Sequence, residues 1–210
     1  MLDRPPQDRA ALLRRGLRLE MLTIGWMLVE AIVGITAGWL VRSIALVAFG
    51  LDSVIELISG SVLFYRLRAE AAGVGEAATD DLERRALRVV GSTFFLLAAY
   101  AVYESALIIL GPELPQPSSV GIALALLALI AMPLLGVAKW RVGITLGSQA
   151  LVADAKETFV CAGLSFTLLL GLSLNAVLGW WWTDPVAALA MVPFLIREGW
   201  EALTDAREGR

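Results

Sequence analysis

Long apolar runs, broken by short polar or turn-forming stretches, set the organisation of the chain, and most are close to the roughly 20 residues a membrane-spanning helix needs. They predict spans at about Met21–Val41, Ser43–Tyr65, Val89–Leu110, Val120–Ala138 and Ser148–Leu172. Only Arg42 separates the first two, so that turn is very tight. Arg66–Arg88 is a polar stretch whose charged cluster, Asp80, Asp81, Glu83, Arg84 and Arg85, reads as a solvated helix start. Gly111–Ser119 holds three prolines and reads as a loop, and Lys139–Gly147 as a short connection. Asn175–Thr183 is a turn with three successive tryptophans, Trp180 to Trp182, suited to the lipid–water boundary. Asp184-Pro185 has the form of an N-cap followed by Pro at the first helical position, and opens a sixth span. Its uncharged run, Pro185–Ile196, is short, so this helix is expected to lean on protein. The fold class is therefore all-α: a polytopic membrane protein of six transmembrane helices. Residues 1–19 form a polar, basic lead-in, 20–205 the helical domain and 206–210 a tail.

Basic residues suggest an orientation. With the N-terminus, the 66–88 and 139–147 stretches and the C-terminus on one side, that side holds 15 of the 17 Lys and Arg. By the positive-inside rule both termini are expected in the cytoplasm, of the inner membrane if the source is bacterial.

Against this topology a repeat stands out. Ser43–Glu56, SIALVAFGLDSVIE, aligns without gaps on Ser148–Cys161, SQALVADAKETFVC, 105 residues on. Asp52 meets Glu157, Ser53 meets Thr158 and Glu56 meets Cys161. The second span runs inward and the fifth outward, so helices 2 and 5 form an inverted repeat of the kind secondary transporters build around a midplane site. Each copy places two potential metal ligands four residues apart, on one helical face. Asp52 and Glu157 each lie about 13–14 Å from their own membrane face at a rise of 1.5 Å per residue. Glu56 and Cys161 lie one turn deeper.

Carboxylates at that depth are costly and need a compensating cation or raised pKa values. Asp52, Glu56, Glu157 and Cys161 make four ligands, enough for the tetrahedral shell zinc prefers. The thiolate favours softer ions such as zinc; carboxylates alone suit manganese better. Ligands shed protons when they bind metal, which gives a physical basis for exchange against H⁺. Small residues at Ala45, Ala48, Gly50, Ala150, Ala153 and Ala155 also favour close helix packing, which explains them but not the acids. Glu30, midway in the first span, is a candidate for proton or ion relay or for a hydrogen bond to a neighbouring helix, and Asp154, in the fifth, either lines the cytoplasmic entrance or pairs with other charges. Glu104 has the setting of a structural partner, and Lys156 either offsets the acids or snorkels to water.

Composition narrows the classes. The chain is 58% hydrophobic, carries a net charge of −3, and has one cysteine and no histidine. An intrachain disulfide framework is excluded. Nothing argues for nucleic acid as a partner, for a prosthetic group or for an enzyme: there is no nucleophile–base set and no phosphate loop.

With these residues in view the chain resembles the cation diffusion facilitators, exporters of zinc, iron and manganese. The resemblance covers roughly residues 20–205 and rests on SIALVAFGLDSVIE and ALVADAKETFVC, supported by YES at Tyr103–Ser105 and DPVAAL at Asp184–Leu189. It implies six helices, termini inside, a homodimer in the bilayer, and metal/proton antiport by alternating access. It also implies a metal site of two acids four apart on the second helix, matching Asp52 and Glu56. On the fifth helix the family carries His or Asp, then Asp; here these are Glu157 and Cys161. The chain is similar to the short branch without the cytoplasmic C-terminal domain. The expected function is proton-coupled efflux of a divalent cation, zinc first, with a manganese or iron(II) exporter and a non-transporting metal-binding or scaffold protein as alternatives.

Overall fold

The computed structural model describes residues 6–72, 77–111 and 114–208. These form six helices and no strand: α1 Pro6–Val41, α2 Ile44–Ala71, α3 Ala77–Leu110, α4 Ser119–Leu146, α5 Gln149–Leu178 and α6 Thr183–Glu208. Five of them are long and apolar enough to cross a membrane. α6 is not among these five but runs for 26 residues, about 39 Å at helical rise. Large apolar side chains such as Trp39, Leu40, Leu110 and Val177 stay exposed on the outside of the bundle, as expected where the surrounding solvent is hydrocarbon.

The helices pair as α1 on α2, α4 on α5 and α3 on α6, and α2 also touches α3, α5 and α6. α2 is thus the inner helix. Its fully buried Phe49 and Leu46 join Met132, Leu168, Leu172 and Met191 in the main core.

Helix starts follow the sequence. Ser43, Ser118 and Ser148 are N-caps whose hydroxyls accept from the backbone N–H of Leu46, Gly121 and Leu151, satisfying donors that the first turn leaves free. The repeat seen in the sequence extends further in three dimensions. Ser43 N–H donates to Gly38 O at 2.9 Å, and Ser148 N–H to Gly143 O at 3.0 Å. Before each serine stands a left-handed residue, Arg42 at φ 58° and Gly147 at φ 77°. A Cβ on Gly38 would lie 2.7 Å from Val47 N, and one on Gly143 3.1 Å from Val152 N. All these pairs are 105 residues apart. The repeating unit is therefore a helical hairpin, α1–α2 and again α4–α5, closed each time by a glycine that admits the facing backbone.

Three expectations change. The basic lead-in does not stop short of the bundle: α1 begins at Pro6, because Leu13 has a place in a small second core with Leu63, Leu67, Val142, Leu146 and Leu151. Lys139–Gly147 is not a connection; α4 runs through it to Leu146, and only Gly147 and Ser148 link the helices. Asp184 does not cap α6. Its buried carboxylate accepts from Ser43 Oγ and, at 2.8 Å, from Ile44 N–H, so it caps α2. Thr183 starts α6, its hydroxyl donating to Gly171 O at 2.9 Å and Trp180 O at 2.6 Å. In the 80–85 cluster Arg84 and Arg85 are exposed, while the side chains of Asp80, Asp81 and Glu83 lie outside the described residues.

Two contacts fix the end where α2 begins. Asn175 Nδ2 donates to Pro115 O at 3.1 Å, and Gln116 N–H to Val41 O at 2.8 Å, which pins the proline loop. Ser105 Oγ donates to Pro185 O at 3.3 Å, so the YES and DPVAAL motifs meet.

Candidate metal centre

α2 and α5 cross antiparallel in the core. On α2, Asp52 and Glu56 share one face, four residues apart; on α5, Cys161 turns toward them. A carboxylate oxygen of each acid and Cys161 Sγ all lie within 4.8 Å of one another, and all three residues are buried. Asp52 Oδ2 and Glu56 Oε2 have no hydrogen-bond partner among the described residues. Buried unpaired oxygens are costly, and two of them beside a thiol fit a cation of borderline softness.

Glu157 does not join this trio. One turn before Cys161, it faces Ser59, whose hydroxyl lies 3.5 Å from its Oε2. The antiparallel crossing explains this: moving back along α5 is moving forward along α2, about 6 Å per four residues. Glu157 lines a cavity of about 240 Å³ between α2, α3, α5 and α6, together with Ser59, Arg66, Asp154, Lys156 and Asp205. The cavity lies where α2 and α6 end and α5 begins, at the end rich in basic residues. Lys156 is exposed there. Glu30 is fully buried on α1 and accepts from Trp26 Nε1 at 2.6 Å and from Ser53 Oγ at 3.3 Å, which places it beside the residue following Asp52. Glu104 is half-buried on α3.

Asp154 has a partner that the hydrophobicity pattern concealed. Lys139 Nζ lies 2.6 Å from Asp154 Oδ2 and 3.1 Å from Glu20 Oε2, and Lys139 and Glu20 are fully buried. This triad joins α1, α4 and α5. Glu198 on α6 is also buried. Glu20, Lys139 and Glu198 sit where span limits were drawn at the first charge, so they read as loop or interface. The signal that would have found Glu20 and Lys139 is the continuation of apolar positions beyond them: Leu12, Leu13 and Leu17 on α1, Val142 and Leu146 on α4.

A family model described as the cation efflux transmembrane domain matches residues 21–208. The chain belongs to the cation efflux family. Its helices are thus those of that family's transmembrane domain, the family anticipated from the two motifs. It is similar to an uncharacterized transporter of Synechocystis sp., with 27% identity over 81% of this chain and 56% of the relative. It is also similar to transmembrane protein 163 of Xenopus laevis, with 25% identity over 79% of this chain and 57% of the relative. The matched stretch thus spans little more than half the length of either relative.

Proposed function

We propose that this cation efflux protein moves a divalent metal cation out of the cytoplasm in exchange for protons, with zinc as the preferred cargo. The observation that carries this reading is the convergence of Asp52, Glu56 and Cys161, two of them with unpartnered buried oxygens. Carboxylates and a thiolate together suit zinc better than magnesium or calcium. Glu157, one turn nearer the cavity, supplies the fourth ligand as α5 moves against α2. The ligands release protons on loading and regain them on unloading, so the ion and H⁺ travel in opposite directions. The basic end of the bundle, with both termini, faces the cytoplasm, and the cavity there gives the cation its way in. The inverted hairpins supply the two alternating arrangements. Two copies associate through their helix faces in the bilayer, as the family resemblance implies.

The test is zinc uptake by the full chain in proteoliposomes under an imposed pH gradient. Saturable flux that follows the gradient is expected, falling at least about tenfold in Asp52→Asn and in Glu157→Gln. Parent-like zinc transport by both variants refutes the site, and flux indifferent to the gradient refutes the coupling. Cys161→Asp should move preference from zinc toward manganese; unchanged selectivity assigns the cargo to manganese or iron(II).

A further inference from the structure

The buried triad lies outside the transport scheme above but shares a wall with its cavity. Asp154 lines that cavity, one helical turn from Glu157, while its Oδ2 rests on the ammonium of Lys139. A single carboxylate therefore stands between a tethered cation and the route of a free one. On the far side Lys139 has a second acid within reach. Glu20 is fully buried, and its Oε1 has no hydrogen-bond partner among the described residues.

Packing does not explain the triad. In the first hairpin the positions 105 residues earlier are Gly34 and Phe49, and Gly34 closes on α2 directly: a Cβ there would lie 3.0 Å from Gly50 Cα. The same architecture thus forms without any ion at this place. Burying three charges is expensive compared with apolar packing, so the presence of Lys139 and Asp154 in the second hairpin, met there by Glu20 from α1, points to a task that packing does not set.

We propose that Asp154 is the first carboxylate to take up the incoming divalent cation, and that Lys139 is a built-in competitor that holds Asp154 until a divalent ion displaces it. This rests on the metal-transport reading above. When displaced, the ammonium stays on Glu20, so no charge is stranded. A sodium or potassium ion brings only the charge the ammonium already supplies and gains nothing by replacing it; a divalent ion brings twice that charge. Lys139 therefore acts as a filter against monovalent ions, and as a brake on the affinity of the cavity for the cargo.

The experiment measures initial zinc flux against zinc concentration in proteoliposomes, with and without added sodium. Lys139→Met combined with Glu20→Gln frees Asp154 and should lower the zinc KM about tenfold, more than it alters kcat, and should make zinc flux sensitive to sodium. Asp154→Asn should raise KM, and in that background the double change should shift KM less than about twofold, the non-additivity expected of residues acting as a unit. Lys139→Arg keeps the charge and should keep the resistance to sodium. Glu20→Gln alone commits the ammonium to Asp154 and should raise KM, which provides a reading if the double variant does not fold. If zinc flux in the parent is normal and the KM and sodium response of these variants match it, the proposal is overturned and the transport reading stands. A parent that neither binds nor moves zinc overturns both.

Discussion

Replacing Asp52 with Asn should stabilise the metal-free protein and abolish its stabilisation by zinc. Asp52 is 2% exposed and Oδ2 has no partner; Glu56, its neighbour one turn on, is 6% exposed with Oε2 equally alone. A buried polar group left unsatisfied costs about 1–3 kcal/mol. A second carboxylate whose ligand oxygen is within 4.8 Å adds like-charge repulsion. Asn keeps the shape and removes the charge, so about 1–2 kcal/mol of stability should be recovered. At about 2–4 °C per kcal/mol for a chain of this size, the metal-free melting point rises by roughly 2–8 °C. Zinc at 100 times its dissociation constant adds about 2.7 kcal/mol to a protein that binds it only when folded, so the parent gains roughly 5–11 °C. The variant, with one charged ligand gone, should gain less than about 2 °C at the same zinc concentration. The assay is thermal unfolding of the detergent-purified chain, followed by intrinsic tryptophan fluorescence, in chelator and in zinc. The reasoning fails if Asp52→Asn melts below the parent in chelator, or if it keeps the parent's full response to zinc.

Two further predictions concern the frame that holds the site. Arg42 occupies a left-handed conformation at φ 58° that Gly147 fills in the other hairpin at φ 77°; Gly147→Ala puts a Cβ on that conformation and should cost about 1 kcal/mol, seen as a lower melting point. Asp184→Ala removes the buried carboxylate that accepts from Ser43 and Ile44; it should cost about 2–4 kcal/mol and lower the melting point, whereas Asp184→Asn should cost less.

Much of the bundle could be read from hydrophobic run lengths alone, because each run must cross one fixed thickness. Cap positions were legible for a local reason: Ser43 and Ser148 sit at the start of apolar runs, where a hydroxyl can meet a free N–H. Asp184 misled because the same Asp-Pro pattern serves a cap within its own helix and a cap lent to another, and only the α2–α6 contact distinguishes them. Asp52, Glu56 and Cys161 were found together because a repeat of 105 residues and a spacing of four place them at one depth. Glu157 shares that depth in an ideal count; the angle at which α2 crosses α5 then decides which turn meets which, and that angle comes from packing. Lys139 was hidden by a general habit of sequence reading, in which a helix is taken to end at its first charge. In this bundle the charge is absorbed by Glu20 and Asp154, residues 119 and 15 positions away in the chain.

The two hairpins divide the work in an informative way. What they share is the frame: the serine caps, the left-handed residue before them, the glycine under each close contact, and an acid at Asp52 or Glu157. Where they differ, the chemistry is concentrated. Glu56 faces Cys161 in the alignment, Glu30 faces Leu135, Gly34 faces Lys139 and Phe49 faces Asp154. Two identical hairpins would make the arrangements open to either side equal in energy, and such a carrier would have no preferred resting side. On the proposed cycle the bias comes from these unequal pairs. The second hairpin carries Lys139 and Asp154, which form the ion triad with Glu20 of α1 near the basic end, where the cavity lies; at the matching place near the other end the first hairpin has Gly34 and Phe49. Opening the basic end rearranges charged partners that water and cations can compensate; opening the other end separates the close glycine contact of α1 on α2 and the buried hydrogen bonds of Asp184 and Asn175. The symmetric residues therefore make two states possible, and the asymmetric ones decide which of them responds to a cation.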